Sequence, residues 1–320
     1  MSNRPSPLVV ALVVALVVTT LAACSNGQAP GAANVRVAGT IDSARLVADL
    51  GRLADDSMRG RLAGTPEGAK ARAYLASRFD AAGLGTVGAG RLQPFPFTRR
   101  DSTRVEGANV VGVARGTATP ERYIVVTAHY DHVGVRTPVN GDSIYNGADD
   151  NASGTAALLA LAEHFARNPA RHSLLFVALD AEEQGLRGAR AFVAAPPVPK
   201  EAIVLNVNMD MVSLSAKGEL YAAGAAKYPE LREPLQRVAA RAPVRLLLGH
   251  DTPVPTAQDD WTMQSDQGAF HEAGIPFVYF GVEDHPHYHK PSDELRNVTQ
   301  SFFVRAVETV RDAIRELDAR

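Results

Sequence analysis

The chain is nearly devoid of cysteine: Cys24 is the only one in 320 residues. No intramolecular disulfide can form, and no thiolate centre is available to the body of the fold. Aromatic residues are sparse as well, at 6%, with a single tryptophan. A surplus of one charge is also missing. The formal net charge of −2 argues against a nucleic-acid footprint or a polybasic membrane surface. Beyond the N-terminus there is no low-complexity tract and no repeat at solenoid period. The one long apolar run, Leu8 to Leu21, is short for a bilayer, which needs about 20 apolar residues.

That run has the length of a signal-peptide core. It closes in Leu21-Ala22-Ala23-Cys24, which resembles a bacterial lipobox whose cysteine is lipidated and becomes the mature N-terminus. The expectation is a lipoprotein signal peptide over 1–24, a Gly/Ala/Pro-rich tether over 25–39 and a single domain over 40–320, held outside the cytoplasm on a bacterial membrane by its lipid. A hydrophobic content of 46% is enough for one substantial core there.

Within that domain, apolar runs alternate with helical spacing. Tyr123 to Ala128, Ser173 to Leu179 and Ala202 to Val207 read as strands covered on both faces, with Phe277 to Phe280 as a later one. Thr65-Pro66 starts a helix that Gly83 ends. Ser153 to Arg167, Leu186 to Ala194 and Val298 to Leu317 read as helices, and Ser153 as a helix cap. The stretch between His132 and Tyr145 reads as loop. Such alternation predicts an α/β fold: a mostly parallel, mixed β-sheet sandwiched between helices.

Three of the buried strands run out into ligand-type side chains. The first ends in His129-Tyr130-Asp131, the second in Asp180-Ala181-Glu182-Glu183, and the third in Asn208-Met209-Asp210. The last strand is followed by Asp284-His285-Pro286-His287-Tyr288-His289. Parallel strands present their C-terminal ends to one crevice, so these groups converge. Several carboxylates and imidazoles in one apolar crevice resist ionisation unless a cation joins them. Imidazole and carboxylate without thiolate suit zinc or a similar divalent ion better than calcium. Asp150, Glu183 and Asp210 with a bridging hydroxide carry four negative charges, which two divalent cations cancel. Two metals sharing a carboxylate is an arrangement used in hydrolysis.

Five segments carry a resemblance: His129-Tyr130-Asp131, Gly147 to Gly154 (GADDNASG), Glu182-Glu183-x-Gly185-Leu186, Asn208-Met209-Asp210 and Tyr288-His289-x-Pro291-x-Asp293. In this order they resemble the motif set of the co-catalytic zinc aminopeptidases, metallopeptidase family 28, which also contains glutamate carboxypeptidase II. The match runs from about Asn109 to the C-terminus, and Gly60 to Pro66 is similar to the family's N-terminal region. The resemblance implies a single zinc peptidase domain over 40–320 with two Zn2+ per chain. It implies that Asp150 bridges both metals, that His129 and Asp210 complete one site, and that Glu183 and His289 complete the other. Glu182 is then the general base, Asp131 orients His129 by accepting its other ring N–H, and Tyr288 donates to the oxyanion.

The implied activity is an aminopeptidase that hydrolyses the N-terminal bond of peptide substrates through a di-zinc-bound hydroxide. A carboxypeptidase or dipeptidase on the same site remains open and needs a cationic clamp, for which Arg136 and Arg187 lie on suitable loops. A single-zinc glutaminyl cyclase-like acyltransferase and a non-enzymatic binding module also remain open; the intact Asp-Asp-Asn-Ala-Ser-Gly turn favours the two-metal hydrolase. Ser265-Asp266-Gln267 departs from the Ser-Asp-His of many relatives. His132, His285 and His287 read as supporting loop histidines rather than ligands, because only His289 is followed by the motif's Pro and Asp. The segment Gly249 to Met263 is a candidate wall of the specificity pocket or an ordinary surface loop.

Overall fold

The computed structural model describes Met1 and residues 40–99, 101–252 and 260–320. The expected signal peptide, Cys24 and tether lie outside the described residues, as does the middle of the segment Gly249 to Met263. Among the described residues no helix is long and apolar enough to cross a membrane.

An eight-stranded sheet forms the centre. Its strands are β1 (Leu92–Thr98), β2 (Arg104–Ala114), β3 (Thr119–His129), β6 (His172–Leu179), β7 (Ile203–Met209), β8 (Glu219–Ala223), β9 (Arg245–Leu248) and β10 (Phe277–Gly281). Their order is β1-β2-β6-β3-β7-β10-β8-β9. β3 pairs in parallel with both β6 and β7, and β7 with β10, so the middle of the sheet is parallel. β2 and β8 join it antiparallel. β1 carries Pro94 and Pro96, which cannot donate to a ladder on both sides, and it occupies the sheet's edge.

Among the described residues seven α-helices flank this sheet: α1 (Ser43–Leu53), α2 (Pro66–Ala81), α3 (Gly154–Arg167), α4 (Arg187–Ala194), α5 (Arg232–Ala239), α6 (Gln267–Glu272) and α7 (Gln300–Asp318). Alternation along the strands sorts side chains between two cores. Ile124, Val126 and Ala128 of β3 join Leu174 and Phe176 of β6 against α1, α2, α3, α5 and α7. Tyr123, Val125, Leu175 and Val177 face the other way, against Phe192 of α4 and Phe270 of α6. α2 begins as its sequence predicts: Thr65 Oγ1 accepts from the Gly68 N–H and Pro66 takes the first helical position.

Two local expectations are corrected. The stretch after His132 is not all loop but holds a hairpin, β4 (Val135–Val139) and β5 (Asp142–Ile144), turning at Asn140 and Gly141, both with positive φ. Ser153 does not cap α3. The turn Ala148–Ser153 is wide, so the Asn151 side-chain oxygen accepts from the Gly154 N–H, while the Ser153 hydroxyl donates back to the Asp149 carbonyl.

Candidate metal centre

The C-terminal ends of β3, β6, β7 and β10 open onto one crevice, the place where an open parallel sheet presents its loops. His129 is the last residue of β3; Glu182 and Glu183 follow β6 after a turn through Ala181; Asp210 follows β7. His289 comes from the loop beyond β10. Ala181, Met211 and His289 itself adopt left-handed backbone, with φ near 59°, 58° and 51°. Such conformations cost non-glycine residues about 1–2 kcal/mol each, and they aim the acids and imidazoles inward.

Asp150 sits at the middle of the cluster, buried, with its two carboxylate oxygens facing different partners. Oδ1 lies 3.5 Å from His129 Nε2, which is also 3.2 Å from Asp210 Oδ1. Oδ2 lies 2.9 Å from His289 Nε2, which is also 3.2 Å from Glu183 Oε1. The structure therefore gathers all five expected donors, and into two groups. One is His129, Asp150 and Asp210; the other is Asp150, Glu183 and His289 together with His132, each group lying within 4.8 Å.

The supporting contacts differ in part from expectation. The His129 Nδ1–H points first at the Asp131 backbone carbonyl, 3.1 Å away, and the Asp131 carboxylate is 3.7 Å distant. That carboxylate instead accepts from the backbone N–H groups of Glu182 at 2.9 Å and Glu183 at 3.3 Å, fixing the turn that carries both. Asp293 does the same for the bridging residue, accepting from the N–H groups of Asp149 and Asp150. The Tyr288 ring stacks on His289 with centroids 4.0 Å apart and borders the crevice.

Behind the cluster lies Arg61, which the sequence did not single out. Its guanidinium is fully buried and donates to the carbonyls of Tyr130 (2.7 Å), Leu53 (2.7 Å), Asn146 (2.6 Å) and Gly147 (2.9 Å). It thus ties the end of β3 to the start of the turn bearing Asp150. Burial pulls its pKa down to about 10, so it remains a cation at neutral pH, facing Asp150, Asp293, Asp131 and Glu183.

Burial and mutual proximity shift the acids and imidazoles of the cluster in different directions. Burial, then the Glu183 and Asp210 carboxylates, push Asp150 above its usual value against the pull of His132 and His289. Glu182 is pushed well up by burial and by Asp266, Asp210 and Glu183. Glu183 moves well down despite burial, because the His132 and His289 imidazoles stand beside it. His289 rises to about 10: burial opposes its charge, but Asp150 and Glu183 outweigh it. Asp266 is fully buried with neither carboxylate oxygen hydrogen-bonded, and burial raises it to about 8. Gln267, where an imidazole was in question, accepts from the Asn208 amide and donates to the Trp261 carbonyl, a structural role.

His132, expected as a supporting loop residue, lies among the candidate donors of the second group. Its ring is fully buried at the cluster, with Nδ1 2.9 Å from Glu183 Oε1. His285 is a supporting residue, 3.1 Å from Asp149 Oδ2, and His287 contacts Ser292. Among the described residues, both His132 nitrogens and Glu183 Oε1 are buried without a hydrogen-bond partner. Orphaned polar atoms of this kind cost about 1–3 kcal/mol each, and a divalent cation held by nitrogen and oxygen donors is what they fit.

The crevice itself is small, about 80 Å³, and is bordered by Glu182, Asp284, Trp261, Gln264, Met211, Tyr279 and Val282 besides the donors. Trp261 places the described end of the segment Gly249 to Met263 at this wall, with Gln264 just beyond it. No Lys or Arg lines it among the described residues. Arg136 is exposed on β4, and the Arg187 Nε–H donates to the Gln184 carbonyl.

The chain is similar to aminopeptidase YwaD of Bacillus subtilis, 28% identical over 67% of this chain and 45% of that protein, and to the alkaline phosphatase isozyme conversion protein of Escherichia coli, 28% identical over 58% and 56%. It spans about half the length of these curated relatives. Among solved structures, a zinc aminopeptidase from Bacillus subtilis shares the fold with a TM-score of 0.67 and 19% identity, covering 87% of this chain and 96% of that one. The glutaminyl cyclase of Porphyromonas gingivalis does so with a TM-score of 0.70 and 18% identity, covering 88% and 100%. The model of peptidase family M28 matches residues 109–314, the span that carries His129, Asp150, Glu182, Glu183, Asp210 and His289, and the chain belongs to that family.

Proposed function

We propose that the protein is a metal-dependent exopeptidase, an aminopeptidase that releases the N-terminal residue of peptides with two zinc ions per chain. The observation that carries this reading is the divided environment of Asp150, one carboxylate oxygen toward His129 and the other toward His289. His129, Asp150 and Asp210 would hold one ion, and Asp150, Glu183 and His289 the other. Zinc bound there supplies an acidified water and a polarised carbonyl.

The remaining work falls to the chain's own side chains. Glu182 borders the crevice without being a donor to either group. It takes a proton from the attacking water and returns it to the amine as the C–N bond breaks. The Tyr288 hydroxyl donates to the carbonyl oxygen as negative charge develops on it. A free α-ammonium group suits a crevice with an acidic border, Asp284 and Glu182, and no guanidinium or ammonium among the described residues. A carboxypeptidase would need such a cation to hold the substrate carboxylate.

The test is a panel of aminoacyl, N-blocked and C-terminal peptide substrates, with and without a chelator. Only substrates with a free N-terminus should be cleaved, and the chelator should stop the reaction. Undiminished cleavage of N-blocked peptides would remove the aminopeptidase reading, and cyclisation of N-terminal glutamine without hydrolysis would favour an acyltransferase. We further propose that Cys24 carries the lipid that anchors the protein outside the cytoplasm of a bacterial cell.

A further inference from the structure

We infer that His132 is itself a metal donor, through Nδ1, so that the position built on Glu183 and His289 has four protein donors while the one built on His129 and Asp210 has three. The inference rests on the two-metal reading above and adds an asymmetry to it.

Three observations support the assignment. First, the ring is fully buried and yet neither nitrogen makes a hydrogen bond. Nδ1 approaches Glu183 Oε1 to 2.9 Å without the alignment a hydrogen bond requires. A ring placed only to orient that carboxylate would aim its N–H at the oxygen. Two donors converging on a common ion are instead brought close side by side, each directed at the space between them.

Second, the separations fit a shared ion. Donors about 2.0–2.2 Å from zinc in a tetrahedral arrangement lie about 3.3–3.6 Å from one another. The observed values scatter around that: 2.9 Å for His132 Nδ1 to Glu183 Oε1, 3.7 Å for His132 Nδ1 to Asp150 Oδ2, 2.9 Å for His289 Nε2 to Asp150 Oδ2, and 3.2 Å for His289 Nε2 to Glu183 Oε1.

Third, the backbone makes room for the ring. Gly147 has φ +57°, and a Cβ there would lie 2.5 Å from His132 Cδ2 and 2.1 Å from the Asp150 carbonyl oxygen. The His289 ring stands edge-on to His132 with centroids 5.6 Å apart. The glycine that opens the Asp150 turn therefore also admits the imidazole.

Zinc with four protein donors is the pattern of closed sites, and three donors with a free place is the pattern of catalytic ones. The His129–Asp210 position is then the one that keeps room for water and the scissile carbonyl, and it is the first to empty under a chelator.

The experiment is zinc-edge X-ray absorption fine structure of the full-length protein loaded with two equivalents of zinc, with the bound metal counted on the same sample. Three imidazoles shared between two ions are expected for the wild type, and two for His132→Gln. In chelator competition His132→Gln should weaken the tighter of the two binding steps by more than about 100-fold, beyond the 10–100-fold that loss of an outer partner causes. Two bound ions with only two imidazoles in the wild type would overturn the inference while leaving the two-metal reading intact. Fewer than two bound ions would refute that reading and the inference with it. The wild-type measurement stands whether or not the variant folds.

Discussion

Replacing Arg61 with methionine removes a cation on which both the fold and the site depend. The guanidinium donates to four main-chain carbonyls, those of Leu53, Tyr130, Asn146 and Gly147, and it is fully buried. Methionine keeps most of the apolar stem and none of the donors. An orphaned buried carbonyl costs about 1–3 kcal/mol. The low end applies, because the variant no longer has to bury a charge, itself a cost of several kcal/mol. Four carbonyls at about 1 kcal/mol each give a loss of about 4 kcal/mol. With a urea dependence of about 3 kcal/mol per M, the unfolding midpoint should fall by just over 1 M. Arg61→Lys keeps the charge but at most three donors on a longer reach, so its midpoint should lie between the two. Because Tyr130 and Gly147 flank His129 and Asp150 in sequence, Arg61→Met should also release metal to a chelator faster than the wild type. A shift under about 0.3 M with unchanged metal release would refute the account of Arg61.

Three further outcomes are expected. Glu182→Gln should retain both metals and lose about 10²–10⁴-fold in kcat, read by steady-state kinetics alongside metal analysis; full activity would remove Glu182 from proton transfer. Stripping the metal should lower the melting temperature by more at pH 8.5 than at pH 5.5. The sign follows from acids whose folded pKa is raised mainly by burial: Asp150, Glu182, Asp293 at about 6 and Asp266 at about 8. Such groups favour the folded state fully below their unfolded values and lose that contribution as pH rises through the folded ones, unless a cation replaces the protons. A metal-free protein of pH-independent stability would contradict this. Cys24→Ala should abolish incorporation of labelled fatty acid and release the protein from membranes in a bacterial host; unchanged labelling would exclude Cys24 as the lipid site.

The parts of the site legible in the sequence are those where a strand ends. His129 and Asp210 follow short β-branched runs whose burial is written in their composition, so the crevice they reach can be inferred without coordinates. Arg61 carried no such sign. Its partners are backbone carbonyls up to 86 residues away in sequence, and a carbonyl leaves no trace in residue identity. His132 was hidden for a related reason. As a residue type it matches His285 and His287, and the space its ring occupies depends on a glycine at 147, where a Cβ would lie 2.5 Å from His132 Cδ2. The β4–β5 hairpin was there to be read. Asn140-Gly141 is the strongest short hairpin signal, but the flanking strands are short and lack alternation. Asp131 stands beside His129, its carboxylate 3.7 Å from Nδ1, but its closer partners were not legible, since a carboxylate two residues past a histidine says nothing of the backbone N–H groups that arrive after β6.

The most direct test of the central claim is an anomalous difference map collected at the zinc edge from crystals of the zinc-loaded protein. The account predicts two peaks about 3.5–4 Å apart, the spacing of paired metal sites, with one oxygen of Asp150 directed at each. A single peak, or two peaks with Asp150 touching only one of them, would contradict it.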